Sequence, residues 1–588
     1  MADRTAGRRR ATGRRGGGLR GLPRAVVRGG GTGGGSGVDG RIRLLRFFFV
    51  VFLVLIGGRA VALASSSDNL TRIALAQHTR TVTLPAHRGA ILDCNGQELA
   101  VGKPQQTVYA TPYLLRHPKK AAWALCDALQ IHRKKERRRV IELLSDKASG
   151  FAYVARKVDP GLARAALALD LPGVGSYEEE ARTYPMSGSA AQVIGATDVD
   201  NRGIAGMEAQ YEEQLSGEPG SEVVVRDPAG HTLRTVRQTQ PVAGADVRLT
   251  IDEEVQYVAE DVLGRTVRSS SAKAAVCVVI DPRNGEILAM ANLPKVKDND
   301  FSRNAAAQPN RAVTDAFEPG SIFKLVTISG ALADGLVKPT TKFTLPPTLQ
   351  VADRTIHEAE ERGTVTFSVK EIIQHSSNIG AVKIGMRMGK EGLLRWMDEY
   401  GFGDTTSIDF PGESAGIVPP GDQWSGSSIA NIPMGHGIAV TALQITQAFA
   451  TVANDGVAVP PRLVAQVGTK VSEPVAGRRV IPTSAARQVR KMLLAAVEEG
   501  TGTKAQIPGY EVAGKTGTAQ KPLPHGGGYS KSDYIASFVG MAPADHPRLV
   551  VMVAVDEPHA GSYFGGDIAA PAVKEIMRFT LQHLEIAP

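Results

Sequence analysis

The stretch AAVCVVIDPRNGEILAMA, residues 274–291, decides the architecture of this chain. Ala274–Ile280 is an apolar run rich in β-branched residues and reads as a strand. Gly285–Ala291 reads as a second strand, and Asp281-Pro282-Arg283-Asn284-Gly285 between them is a hairpin signal. Upstream, Val247-Arg248-Leu249-Thr250-Ile251-Asp252 leads into an amphipathic helix, with Val255, Val258, Ala259, Val262 and Leu263 on one face and Thr250 and Asp252 as candidate N-caps. Far downstream, Tyr534–Met541 and Arg548–Val555 are strand-like again, and Ala570–Leu584 has helical spacing. Two early strands and two late strands around a helical middle predict one α+β domain with an antiparallel sheet over 247–588. Cys277 falls inside the first strand and reads as a buried apolar residue.

Two constellations between those strands compete for the chemistry. Gly509–Thr516, GYEVAGKT, fits the phosphate-loop pattern G-x-x-x-x-G-K-[ST]. That motif needs a helix starting at the lysine to hold phosphates. Here Gly517, Pro522, Pro524 and Gly526-Gly527-Gly528 follow, and no helix of useful length survives them. The alternative is a serine set. Phe317-Glu318-Pro319-Gly320-Ser321-Ile322-Phe323-Lys324 puts Ser321 at the start of a helix, with Lys324 on the same face at i+3. A desolvated lysine can act as the base that a serine nucleophile needs. His375-Ser376-Ser377-Asn378 adds a hydroxyl able to relay protons and an amide able to hold a lysine or a carbonyl. Lys515-Thr516-Gly517-Thr518 reads as an edge strand offering a cation, two hydroxyls and a glycine that permits close backbone approach. Other matches, Ser270/Lys273, Ser67-Asp68-Asn69 and Ser302-Arg303-Asn304, read as chance. What lifts Ser321, Ser376 and Lys515 is their order, their spacing and their place between early and late strands.

The N-terminal end explains the charge. The chain has 588 residues and a formal net charge of +9. Residues 1–46 carry twelve Arg against Asp3 and Asp39, a net of +10, which leaves the other 542 residues at −1. That near-neutral bulk excludes a broad basic surface for nucleic acid. A composition of 43% hydrophobic and 22% charged residues excludes collagen-like, wholly disordered and polytopic membrane classes. Residues 1–43 read as a disordered basic tail, Gly-rich and poor in apolar side chains. Leu44–Ala64 is long enough, at about 31 Å of helix, to cross a bilayer. The arginines put its N-terminal side in the cytoplasm and everything after residue 65 outside. A cleaved signal peptide ending at Ala62-Leu63-Ala64 exports the same bulk, and the uncleaved anchor is preferred because Arg59 interrupts that site. Residues 65–246 alternate short strands with charged helical stretches such as Lys119–Lys147. They also carry Arg88–Gly96 with a turn at Asn95-Gly96, and Thr183-Tyr184-Pro185, none with an obvious chemical role. Three cysteines, Cys94, Cys126 and Cys277, argue against a disulfide framework, a Cys94–Cys126 bridge remaining open. No Cys/His cluster has metal-ligand spacing, and no cofactor is implied. His375 borders the S-x-N motif and His436 lies in a Gly-rich turn, and each reads as structural or as supporting the site residues from behind.

The S-x-x-K, S-x-N and K-T-G triplet marks class A β-lactamases and penicillin-binding proteins. With the anchor, the sequence resembles a class B penicillin-binding protein over nearly all of 44–580, including RGAILDCNGQEL (88–99), GIAGMEAQYEEQLSGEPG (203–220) and GHGIAVTALQITQAFATVANDG (435–456). Phe317-Glu318-Pro319-Gly320 and Ser376-Ser377-Asn378 resemble the division-specific, FtsI-like type, and Cys94 departs from the Arg common at that place. The resemblance implies an antiparallel sheet with helices on both faces, preceded by an elongated α+β pedestal over 65–246. It also implies a D,D-transpeptidase that crosslinks peptidoglycan stem peptides and is trapped by β-lactams. Carried over, Ser321 attacks the D-Ala-D-Ala carbonyl, Lys324 takes its proton, and Ser376 passes a proton to the leaving amine. Asn378 positions substrate and lysines, while Lys515, Thr516, Gly517 and Thr518 hold the terminal carboxylate. Backbone N–H groups of Ser321 and Thr518 form the oxyanion hole. An FtsW-type glycosyltransferase and other division proteins are the implied partners, in the cytoplasmic membrane. The residues alone leave an elongation or sporulation transpeptidase, a D,D-carboxypeptidase or β-lactamase, a β-lactam sensor and a structural scaffold as alternatives.

Overall fold

In the computed structural model, residues 37–65, 79–186, 188–226, 232–523 and 528–588 are described. Ser67-Asp68-Asn69 and most of the basic tail lie outside them. The chain divides into two units, residues 1–81 with 223–236, and residues 82–222 with 237–588. In the first, helix α1 (Gly37–Ser65) begins seven residues before the expected anchor, so Gly37–Arg43 are helical instead of tail. Its apolar segment, Gly40–Ala64, is long enough for one membrane crossing, and its large side chains Phe47–Leu55 are all exposed. The other described residues of this unit belong to a three-stranded sheet with Gly220–Arg226 between Thr79–Leu84 and Thr232–Thr239.

The second unit starts with a long antiparallel pair, β1 (Glu98–Ala110) and β2 (Val174–Thr183), in register from Val101↔Thr183 to Ala110↔Val174. The charged stretch expected to be helical over 119–147 is two helices, Pro118–Ala128 and Lys134–Ser145. They bury Leu125, Cys126, Val140 and Leu144 and leave most of their Lys and Arg exposed. Arg88 and Arg182 converge on Glu208, all nearly inaccessible, with side chains 2%, 2% and 0% exposed. Arg88 Nε donates to Glu208 Oε2 (2.8 Å), Arg88 Nη1 to Glu212 Oε2 (2.7 Å), and Arg182 Nε to Glu208 Oε1 (2.6 Å). The Arg88-Gly89 pair is therefore structural. A Cβ on Gly89 would meet Ala245 O at 2.1 Å. Val247–Leu249 then pairs parallel with Ile91–Leu92 and antiparallel with Val464–Val467, so one sheet ties the N-terminal segment to the C-terminal one.

The main sheet has five antiparallel strands: β3 (Ala274–Ile280), β4 (Ile287–Leu293), β5 (Ala513–Pro522), β6 (Tyr529–Ala542) and β7 (Leu549–Asp556). Their order is β4-β3-β7-β6-β5, which leaves β5 at the edge. Every residue of β3 is buried because both faces are covered. Ala275, Cys277 and Val279 face helix α2 (Glu253–Ser270), while Val276, Val278 and Ile280 face the helical middle. Two helices of that middle, α3 (Lys324–Ala333) and α4 (Asn378–Glu399), carry site residues. The last helix, α5 (Gly565–His583), packs beside α2. Each Val or Ile enclosed this way contributes about 1.5–3 kcal/mol. Helix α5 starts five residues earlier than expected because Gly565, Gly566 and Pro571 mask its first turns. Asp252 caps α2 by accepting from Glu254 N and Val255 N. Thr250 does not; its hydroxyl donates to Ile287 O (2.8 Å), pinning the sheet. Cys94, Cys126 and Cys277 are all free thiols.

Candidate active site

Gly514-Lys515-Thr516 lies in strand β5 with no helix after it, which removes the phosphate-loop reading. Instead β5 packs against the turn that carries Ser321. That turn, Gly320–Phe323, is a single 3-10 turn running into α3, as the spacing predicts. It can lie this close to β5 only because of glycines. A Cβ on Gly517 would meet Ser537 Oγ at 2.3 Å and Pro319 O at 3.1 Å. One on Gly565 would meet Gly517 O and Ser537 O, each at 2.2 Å, and one on Gly435 would meet Gly320 O at 2.2 Å.

Lys324 opens α3 and is completely buried. Its Nζ donates to Ser376 O (2.7 Å), to Asn378 Oδ1 (2.8 Å) and, at 3.4 Å, to Ser376 Oγ. From the opposite side Lys515 Nζ donates to Ser376 Oγ at 2.8 Å. One serine hydroxyl thus stands between two lysine amines. Local backbone makes this possible. The helix Val369–Gln374 ends at His375, Ser377 caps α4 by accepting from Gly380 N, and Ser376 alone joins them. With φ at +54° Ser376 occupies the left-handed region, a strained setting for a residue with a Cβ, of the kind that gathers at functional sites. Burial pulls the Lys324 amine down to about 7, against an opposing pull from Glu358. Burial, and then the charge of Lys324, depress Lys515 well below the ordinary lysine range.

Among the expected residues, Lys324, Ser376, Asn378, Lys515 and Thr516 form one hydrogen-bonded cluster. Thr516 Oγ1 is 3.2 Å from Lys515 Nζ and shares a hydrogen bond with Thr501 Oγ1 (2.8 Å). The Ser321 hydroxyl, one turn before Lys324, makes no hydrogen bond among the described residues. Thr518 Oγ1 accepts from Gly565 N (3.0 Å), so it anchors the start of α5. His375 stacks on Phe367, away from the chemistry. Ser270 donates back to Thr266 O and Lys273 pairs with Glu557, while Ser302 donates to Asp300, so neither pattern match forms a site.

Two residues beside the cluster, Glu358 and Arg362, have no role in the sequence reading. Glu358 accepts from Ser377 Oγ (2.6 Å) and Asn378 N (2.7 Å) and pairs with Arg362 (2.8 Å). Those hydrogen bonds and Arg362 hold its carboxyl below the ordinary range despite burial. In the run His357-Glu358-Ala359-Glu360-Glu361-Arg362 it looks like any solvated loop charge, and no local signal separates it. The ligand atoms of Asp533, Glu557 and His559 lie within 4.8 Å of one another, the one metal-like group among the described residues. There Glu557 Oε1 already binds Lys273 (2.8 Å) and Lys521 (2.6 Å).

The described cluster suits acyl transfer through a serine, with a buried amine whose proton affinity is low enough for it to serve as the base. Comparison with known proteins agrees. Residues 275–578 match the penicillin-binding protein transpeptidase domain, and 83–249 match the penicillin-binding protein dimerisation domain. The chain is 36% identical to the probable peptidoglycan D,D-transpeptidase PenA of Neisseria meningitidis, over 87% of this chain and 86% of that one. It is 33% identical to the peptidoglycan D,D-transpeptidase FtsI of Escherichia coli, over 94% and 93%. A crystal structure of penicillin-binding protein 3 from Mycobacterium tuberculosis in complex with aztreonam superposes with a TM-score of 0.68. It is 31% identical, with 86% of this chain and 98% of that one covered. The chain belongs to the class B penicillin-binding proteins and is a serine-type peptidoglycan D,D-transpeptidase.

Proposed function

We propose that Ser321 is the nucleophile of this transpeptidase. It attacks the penultimate carbonyl of a D-Ala-D-Ala terminus and releases D-alanine; an amine from a second stem peptide then takes the acyl group. Lys324 receives the Ser321 proton, and Ser376 relays one to the leaving amine. Asn378 positions Lys324 and substrate, while Lys515, Thr516, Gly517 and Thr518 bind the terminal carboxylate, with the Ser321 and Thr518 N–H groups as oxyanion donors. The observation that carries this reading is the Ser376 hydroxyl held between the two lysines, one of them tuned to about 7. An amine of that pKa is about half neutral at neutral pH and can accept the serine proton. Labelling membranes with a fluorescent penicillin tests it. The wild type is labelled and Ser321→Ala is not; labelling that survives the substitution removes Ser321.

The same reading places the N-terminus in the cytoplasm and the catalytic domain outside, on the support of twelve arginines before residue 47 and of α1, the one helix of membrane-crossing length among the described residues. It assigns the enzyme to septal wall synthesis, beside an FtsW-type glycosyltransferase and other division proteins. The support is the likeness to FtsI and the motifs around Ser321 and Ser376. Depletion that yields filaments agrees with this; depletion that yields rounded cells points to elongation.

A further inference from the structure

Glu318 stands three residues before Ser321 and is taken up by none of the roles above. Its carboxylate, with the side chain 10% exposed, accepts from His436 Nδ1 (2.7 Å), Gly437 N (2.9 Å) and Tyr529 OH (3.1 Å). A carboxylate only accepts, so the proton of the neutral imidazole sits on Nδ1 and the lone pair on Nε2. Nε2 has no hydrogen-bond partner among the described residues, and the ring is 25% exposed, edge-on to Tyr529 at 5.6 Å. The main chain at His436 is fixed as well: its backbone N–H donates to Asn431 O (3.1 Å). Gly320 N donates to Gly435 O at 3.0 Å, so Ser321 and His436 each follow directly on one backbone contact between the two turns. Arg354 caps the same rim, 5.7 Å from the Tyr529 ring.

This is a carboxylate-oriented histidine beside a serine that already has its own base, Lys324. The second half-reaction has a separate need. An alkylamine acceptor is an ammonium ion at neutral pH, ordinarily titrating near 10, and cannot attack until it loses a proton. We propose that His436, oriented by Glu318, is the base on the acceptor side, taking that first proton through Nε2. The neutral amine nitrogen then bonds to the acyl carbon and the ester bond to Ser321 Oγ breaks. The second nitrogen-bound proton returns through Lys324 to Ser321 Oγ. His436 releases its proton to solvent, so the amide forms and both side chains end as they began. This rests on Ser321 as nucleophile.

The test uses the full-length chain in detergent and a thioester donor that mimics the stem-peptide terminus. Acyl transfer is measured to an alkylammonium acceptor and to hydroxylamine, which is already neutral at the assay pH. In His436→Gln, acylation by fluorescent penicillin stays within about threefold of wild type. Transfer to the alkylammonium acceptor falls about tenfold or more, and transfer to hydroxylamine is unchanged. Equal losses with both acceptors, a parallel loss of acylation, or no loss at all each overturn the proposal. If His436→Gln melts early, His436→Asn takes its place with the same outcomes. Persistent labelling of Ser321→Ala marks a failure of the nucleophile assignment instead.

Discussion

Arg88, Arg182 and Glu208 in the N-terminal segment, and Lys324 and Lys515 in the cleft, are all withdrawn from water, but they are compensated differently. In the first group one carboxylate is gripped by two guanidiniums, and Glu212 and the Asn201 carbonyl accept further Arg88 donors. In the second, two like charges face one neutral hydroxyl, and the nearby carboxylate of Glu358 is engaged by Ser377, Asn378 and Arg362. Paired burial fixes structure at little gain in stability, whereas removing one partner leaves a stranded charge. Unpaired burial does the opposite: desolvation lowers the proton affinity of Lys324 until the amine can act as a base at neutral pH, and for Lys515 the charge of Lys324 adds to the same effect.

Breaking the cleft side has the largest effect. Lys324→Met should slow acylation by penicillin by about 10²–10⁴-fold while the protein stays folded. An acylation rate near wild type would erase the contrast. The N-terminal cluster should answer in stability. Glu208→Ala leaves two buried guanidiniums without their partner and should cost about 3–5 kcal/mol in denaturant unfolding. Acylation per folded molecule should hardly change, and a matching fall in acylation would show that the two regions are not separable.

The pH dependence sharpens the difference further. Below pH 7 acylation should fall about tenfold per unit as Lys324 is protonated, and it should level off once the amine is neutral. The same shift acts on stability. The folded-state pKa lies below the ordinary value of 10.5, so the unfolded chain binds more protons between the two. The penalty for burying the lysine is full below about 7 and vanishes as pH rises through 10.5. Lys324→Met should therefore raise the melting temperature most in acid and least in alkali, with Lys515 contributing in the same direction. The smallest effect belongs to Glu358→Gln. It removes a charge that supports protonated Lys324, so the acylation midpoint should move a fraction of a pH unit downward. A shift upward would contradict the electrostatics drawn here.

What the sequence made legible follows from range. The hairpin of β3 and β4, the cap at Asp252 and the turn before α3 are local, and their residues lie within a few positions of one another. The serine and lysine motifs could be placed because strands bracketed them in order. Glu358 could not, since it reaches Asn378 through a loop across 20 residues, in a run of charges that looks solvated. Arg88 and Glu208 are 120 residues apart, and nothing in either stretch points to the other. His436 was seen, but only its contact with Glu318, 118 positions away, gives it a role. The expected cap at Thr250 failed for the same reason: Ile287 and Arg462 are remote acceptors that a local reading cannot weigh.

The glycines around Ser321 bear on how the enzyme can change under drug pressure. At Gly435, Gly517 and Gly565 even a methyl group would overlap neighbouring backbone or the Ser537 hydroxyl. Variants there displace Ser321, the proposed nucleophile, for substrate and antibiotic alike, so selection has little to work with in that seam. Discrimination between a β-lactam and a stem peptide has to evolve at side chains outside that seam, such as Arg354 over the Tyr529 ring, that can be exchanged without moving the serine.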